Sequence, residues 1–157
     1  MLKWCLTLLR SHGGSEFIPL TLMRVALGLF FFTSGFNKVF VAENQLAMLE
    51  TIIEAGIPFP SFMAIFVASC EVIFGLLLAI GLLSRISGFV LLIINIVALF
   101  TVGLHQIPIG LNLLTWYSWL FYLPEASYIL ICLLLIVQGC GPFGVDRLIV
   151  RHMKLFV

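Results

Sequence analysis

The chain reads as an all-α integral membrane protein, a bundle of four spanning helices with an amphipathic helix lying on the outer membrane surface between the first two. Three observations predict this. Of its 157 residues, 62% are hydrophobic and only 10% charged, against about 25% charged in a typical soluble domain. Several apolar runs reach the roughly 20 residues that a helix needs to cross a bilayer. Between the first two of them lies a segment too polar to cross and strongly two-faced. The length fits a single domain over residues 1–157.

Residues 1–18 pair a short, interrupted apolar stretch with a Gly13-Gly14 break. The stretch is too short for a signal-peptide core and no small-residue cleavage site follows, so an interfacial helix with Trp4 at the headgroups is expected. The first span covers about 19–41 and opens on Pro19, which suits a first helical turn. Arg24, Gly28, Gly35 and Lys38 share one stripe of it. Two readings stand: Arg24 and Lys38 are anchors flanking a packed helix, with Arg24 snorkelling outward, or both point into the bundle with the glycines.

Residues 43–56 place Leu46, Leu49 and Ile53 on one face and Glu43, Glu50 and Glu54 on another, as in a helix lying along a membrane surface. Gly56 is placed to end it. The second span, about 60–83, belongs to the run 62–85, which carries one charge between its ends, Glu71. A carboxylate at bilayer depth costs about 2.5–3.5 kcal/mol on insertion scales, so it needs a partner, a wet cavity or a proton. Ala64, Ala68, Gly75 and Ala79 lie at helical spacings around it. Small residues close helix contacts in membranes, so Glu71 is expected to face protein, and the charged stop at Arg85 to sit at the headgroups.

The third span, about 86–104, carries Asn95 mid-membrane and ends at His105. At about 1.5 Å per residue, Asn95 falls within a turn of Glu71 in depth, which makes the two candidate partners. The aromatic connection 106–123 reads as an interfacial or re-entrant cap, since Trp and Tyr concentrate at membrane interfaces. The fourth span, about 124–139, begins at Pro124-Glu125, and a glycine-rich turn leads to a basic tail. Lys3, Arg10, Arg85, Arg147, Arg151 and Lys154 fall on one side, whereas Lys38 stands with Glu43, Glu50, Glu54 and Glu125 on the other. The excess of Lys and Arg marks the cytosolic face, so both termini are expected there.

That topology gathers Lys38, His105, Glu125 and the deeper Glu71 into a polar cluster opening outward, with Asn95 nearby. Such a cluster could hold a quinone headgroup, relay a proton, or lock the helices together. Arg24, Arg85 and Asp146 are expected as structural anchors. Nothing in the residues supports nucleic-acid binding. Cys5, Cys70, Cys132 and Cys140 form no CxxC pair and no metal-ligand spacing. No intrinsic cofactor is therefore expected, and redox equivalents would arrive on a partner or a diffusible carrier such as a quinone.

The segments 22–38, 56–85, 95–105 and 123–146 together resemble the DoxX family. They carry an Arg and a terminal Lys on the first helix, Glu71 and Arg85 on the second, His105 closing the third, and Gly139, Gly141 and Asp146 in the final turn. Cys140 and Gly144 stand where that turn has Pro and Ser. The resemblance implies a four-helix inner-membrane protein of bacteria, acting beside membrane or soluble redox proteins. Family examples are thiosulfate:quinone oxidoreductase and a complex with superoxide dismutase and a sulfurtransferase. The LPE…Y start of helix four looks like a branch encoded beside enzymes that modify cysteines in copper-binding peptides. The expected function is a membrane subunit of a redox or thiol-maturation system. The alternatives are a scaffold or assembly factor, or a small transporter. An oligomer is compatible with either.

Overall fold

A computed structural model describes residues 17–139, 141 and 144–146. The expected N-terminal interfacial helix, Cys5, His12, Cys140 and the basic tail with Arg147, Arg151, His152 and Lys154 lie outside the described residues. The fold is all-α, with helices α1 (Phe17–Phe40), α2 (Ala42–Glu54), α3 (Pro60–Ile80), α4 (Ser84–Thr101), α5 (Leu113–Tyr122) and α6 (Pro124–Gln138), and a 3₁₀ turn at Gly103–Gln106.

Glycine decides the closest approach. α1 packs along α3 in the most extensive helix contact of the fold. A Cβ on Gly28 would fall 2.4 Å from the Ala79 nitrogen, and one on Gly75 would fall 2.5 Å from the Phe32 nitrogen. Backbone therefore lies against backbone, as small-residue stripes permit in membranes. α4 packs mainly on α6 and, less extensively, on α3. Leu20, Leu27, Phe31, Leu78, Leu91, Leu92, Cys132 and Leu135 form the core that joins α1, α3, α4 and α6.

The helix ends follow local chemistry. α2 stops where Gly56 takes φ +67°, with Gly56 N donating to Ile53 O and Ile57 N to Ile52 O, the Schellman closure that glycine favours. The same closure at Gly81, with Gly81 N on Leu78 O and Leu82 N on Leu77 O, ends α3 at Ile80 and not at residue 83. Arg85 is therefore not the stop of α3 but sits in the first turn of α4. The third stretch runs from Ser84 as α4 and gives way to the 3₁₀ turn after Thr101, so that the expected 86–104 falls within Ser84–Gln106. α5 is capped by Asn112, whose side chain accepts from Thr115 N at 2.8 Å. Pro124 opens α6, and its missing N–H is tolerated in a first turn.

Large apolar side chains face outward on every long helix, among them Leu22, Leu29, Ile65, Ile73, Phe89 and Leu130. Water does not tolerate so continuous an apolar surface, and lipid does. Three helical stretches, Phe17–Phe40, Pro60–Ile80 and Ser84–Gln106, are long and apolar enough to cross a bilayer. α6 has 15 residues, or roughly 22 Å at 1.5 Å per residue, and α5 joins it at a 73° bend. The molecule is thus a multi-pass membrane protein, with three spans among the described residues, or four when the bent pair counts as one.

Candidate functional site

The one salt bridge among the described residues joins α1 to α3 beside their tight crossing. Lys38 Nζ donates to Glu71 Oε1 at 2.9 Å and to Oε2 at 2.7 Å. The Glu71 side chain is 5% exposed and that of Lys38 28%. Gly35 makes the meeting close, since a Cβ there would fall 2.8 Å from Glu71 Cβ. An ammonium holding both oxygens of a buried carboxylate offsets much of the cost of removing either ion from water.

Above the pair lies a cavity of about 660 Å³. Met48, Ile52, Phe66, Val67, Ile94 and Val97 make its walls apolar; Lys38, Glu71 and Glu125 supply its charges; Asn37, Asn44 and Thr51 add neutral polar groups. α2 closes one side. Its single buried residue is Ile52, flanked on the cavity side by Met48, Thr51 and Ala55. Of the expected apolar face, Leu46 (60% exposed) and Ile53 (55%) look outward, whereas Leu49 is half-buried. α2 therefore has three stripes: acidic, outward apolar, and cavity-facing. The sequence reading missed the third, although Asn44, Met48, Thr51 and Ala55 recur at helical spacing.

The expected cluster assembles in part. Lys38, Glu71 and Glu125 line one cavity. Glu125 Oε2 is buried without a hydrogen-bond partner among the described residues, next to Gly103. His105 is exposed on the 3₁₀ turn and does not line the cavity. Asn95 is buried, but its amide donates to Leu91 O of its own helix at 2.7 Å and not to Glu71. Equal depth does not set azimuth: Asn95 shares a face with Gly88 and Leu91, and Gly88 packs against Ile136 of α6.

The anchors gather at the opposite end of the bundle. Arg24 is 2% exposed, so it points inward and does not snorkel; a Cβ on Gly81 would collide with its guanidinium. Asp146 Oδ1 accepts from Leu83 N at 2.8 Å and Oδ2 from Ser84 N at 3.1 Å, while Asp146 N donates to Gly81 O. A carboxylate thus caps the N-terminus of α4, where the helix dipole favours it, and holds Leu83 at φ 50°. Arg85 Nη2 donates to Val137 O at 3.4 Å, a cation at the C-terminal end of α6. Cys70 and Cys132 are free thiols, and no group of three His, Cys, Asp or Glu among the described residues stands close enough to hold a metal.

These features define a helical multi-pass membrane protein with a buried ion pair beneath an apolar cavity. The chain belongs to the DoxX family, whose model matches residues 20–104. Arg24, Lys38, Glu71, Arg85 and Asn95 fall inside the match, and His105, Glu125 and Asp146 beyond it. The chain is also similar to "Putative oxidoreductase CatD" of Bacillus subtilis (strain 168), at 37% identity over 83 residues. That match takes in 53% of this chain and 58% of the relative, so the chain spans little more than half the length of the curated relative it matches. No solved structure matches.

Proposed function

We propose that the protein is a bacterial inner-membrane subunit of a redox or thiol-maturation system, and that its cavity receives the headgroup of a quinone. The observation that carries this reading is the ion pair at the base of a cavity of about 660 Å³ with largely apolar walls. Ligand sites are typically about 300–1,000 Å³, apolar with a few placed polar groups. An apolar ring with oxygen substituents suits that lining, and the two long apolar helices beside it give a carrier a route from lipid. Membership of the DoxX family and the name of the Bacillus relative support a redox setting. With both termini cytosolic, the cavity opens toward the periplasmic side, beneath α2. Redox partners, membrane-bound or soluble, would exchange electrons with the carrier.

A second reading has its own support. Lys38 occupies both oxygens of Glu71 beside the Gly28, Gly35 and Gly75 contacts, so the pair also suits a lock that fixes α1 against α3 in a scaffold. Protein purified in mild detergent and extracted with organic solvent separates the two. Quinone at near-stoichiometric yield, lost in Lys38→Met with the fold retained, is the expected result. An empty bundle co-purifying with a soluble enzyme would favour the scaffold.

A further inference from the structure

Resting on that reading, we infer that the ligand's apolar tail leaves the cavity sideways into lipid, through a cleft between α3 and α4 whose lips are Phe66, Ile93 and Val97. The ligand class is then an amphiphile, a polar ring on a long apolar chain, and not a small water-borne quinone.

The cavity lining is not alike all round. Its exposed residues fall into two sets: Asn37, Asn44 and Ala47 on α1 and α2, and Phe66, Ile93 and Val97 on α3 and α4. The first set carries two amides and suits a mouth that meets water. The second carries only hydrocarbon, and it continues outward. Phe62, exposed, stacks on Phe66 with ring centroids 5.9 Å apart, and Phe89, also exposed, lies one helical turn from Ile93.

Helix packing accounts for a cleft at this place. α3 and α4 meet at the turn around Gly81, yet they pack on each other less extensively than α3 does on α1 or α4 on α6. The small residues Ala68 and Gly75 of α3 are turned toward α1. Toward the cavity α3 presents Met63, Phe66 and Val67, and α4 presents Ile93, Ile94 and Val97. Long and β-branched side chains keep backbones apart where small ones would let them close. Counting from the turn at about 1.5 Å per residue puts Phe66 level with Val97, and Ile93 level with Glu71. A ring seated over the Lys38–Glu71 pair therefore has hydrocarbon beside it at its own depth. A chain led out past Asn37 and Asn44 would meet amides and water, whereas one led through the cleft stays among apolar groups, which the hydrophobic effect favours.

The test uses the full chain in nanodiscs and two probes with one head, a decyl benzoquinone and its tail-less parent. Each competes against a tail-less photoreactive quinone. Val97→Trp, which fills the cleft, should weaken the decyl probe about tenfold or more, the loss expected when two methylenes lose their burial. The tail-less probe should keep its affinity, and Ile96→Trp, on the outward face of the same helix, should leave both probes unchanged. Comparing one probe between variants removes its partition into lipid from the result. Should Val97→Trp fail to fold, a diazirine placed part-way along the decyl chain tests the unaltered protein, with competable labelling of Phe66, Ile93 or Val97 expected. Decyl binding unchanged in a folded Val97→Trp, equal weakening of both probes, or tail labelling at Asn44 and Ala47 instead each overturn the cleft and leave the cavity reading intact. No saturable binding of either probe to the unaltered chain overturns both.

Discussion

Glu71 is a single carboxylate in a long apolar run, and its position alone demanded a partner. Lys38 was among the cations expected near it, and the structure makes the pair bidentate at 2.7 and 2.9 Å. Removing one member of a buried pair leaves a charge uncompensated and typically costs about 3–5 kcal/mol. With Lys38 28% exposed, Glu71→Gln and Lys38→Met should each fall near the low end, about 3 kcal/mol. The double variant should cost less than the two combined, because it leaves no orphan charge. Melting temperatures in detergent for the three variants check this, and strict additivity would contradict the pairing. Asp146 makes a second residue-scale case. It caps two N–H groups at the start of α4, so Asp146→Ala should lower stability by about 1 kcal/mol. Asp146→Asn, which keeps one acceptor, should lose less. Its glycine-rich setting was readable from the chain, but its target, 62 residues away, was not, because a capping carboxylate carries no mark of which helix it caps.

At the scale of elements, what was legible followed chemistry that acts locally. Gly56 announced the end of α2, Pro124 the start of α6, and the run of alanines and glycines on α3 announced a tight crossing. Substituting Gly75 tests that crossing: the Cβ of Gly75→Ala would stand 2.5 Å from the Phe32 backbone, and overpacking costs about 1–3 kcal/mol. Ala at Gly56, 56 and 75 being alike in type but not in setting, should instead cost strain only, since nothing lies within 4 Å of it. Side-chain azimuth was less legible. Residue counting places Asn95 and Glu71 at one depth, yet Asn95 bonds to Leu91 of its own helix and Glu71 to Lys38, and the outward stripe of α2 hid its cavity stripe because Met48 and Ile52 sit one residue away from Leu49 and Ile53. Replacing Leu49 and Ile53 with Glu should release α2 from lipid while Ile52 still holds it to the bundle. Hydrogen exchange across residues 42–54 should therefore rise modestly, and full loss of protection there would mean that lipid contact alone holds the helix.

The whole molecule separates its polar groups into two ends. Arg24, Arg85 and Asp146 clasp one end around Gly81 and the last turn of α6, and Lys38, Glu71 and Glu125 surround a cavity toward the other. The proposed orientation, with the clasp at the cytosol, predicts that a reporter fused at either terminus reads cytosolic and one inserted after Glu43 periplasmic. Composition made the membrane class legible, whereas the cavity was not, because it arises from how α1, α2, α3 and α4 diverge and not from any one segment. The central claim is that this cavity, and not the lipid-facing surface, receives an apolar redox carrier. A photoreactive quinone, cross-linked to the protein in nanodiscs and mapped by peptide mass spectrometry, tests it most directly. The account predicts saturable labelling of cavity residues such as Met48, Ile52, Phe66 and Val97, competed by unlabelled quinone and reduced in Lys38→Met. Labelling spread over outward residues such as Ile73, Phe89 and Leu130, without saturation, would contradict it.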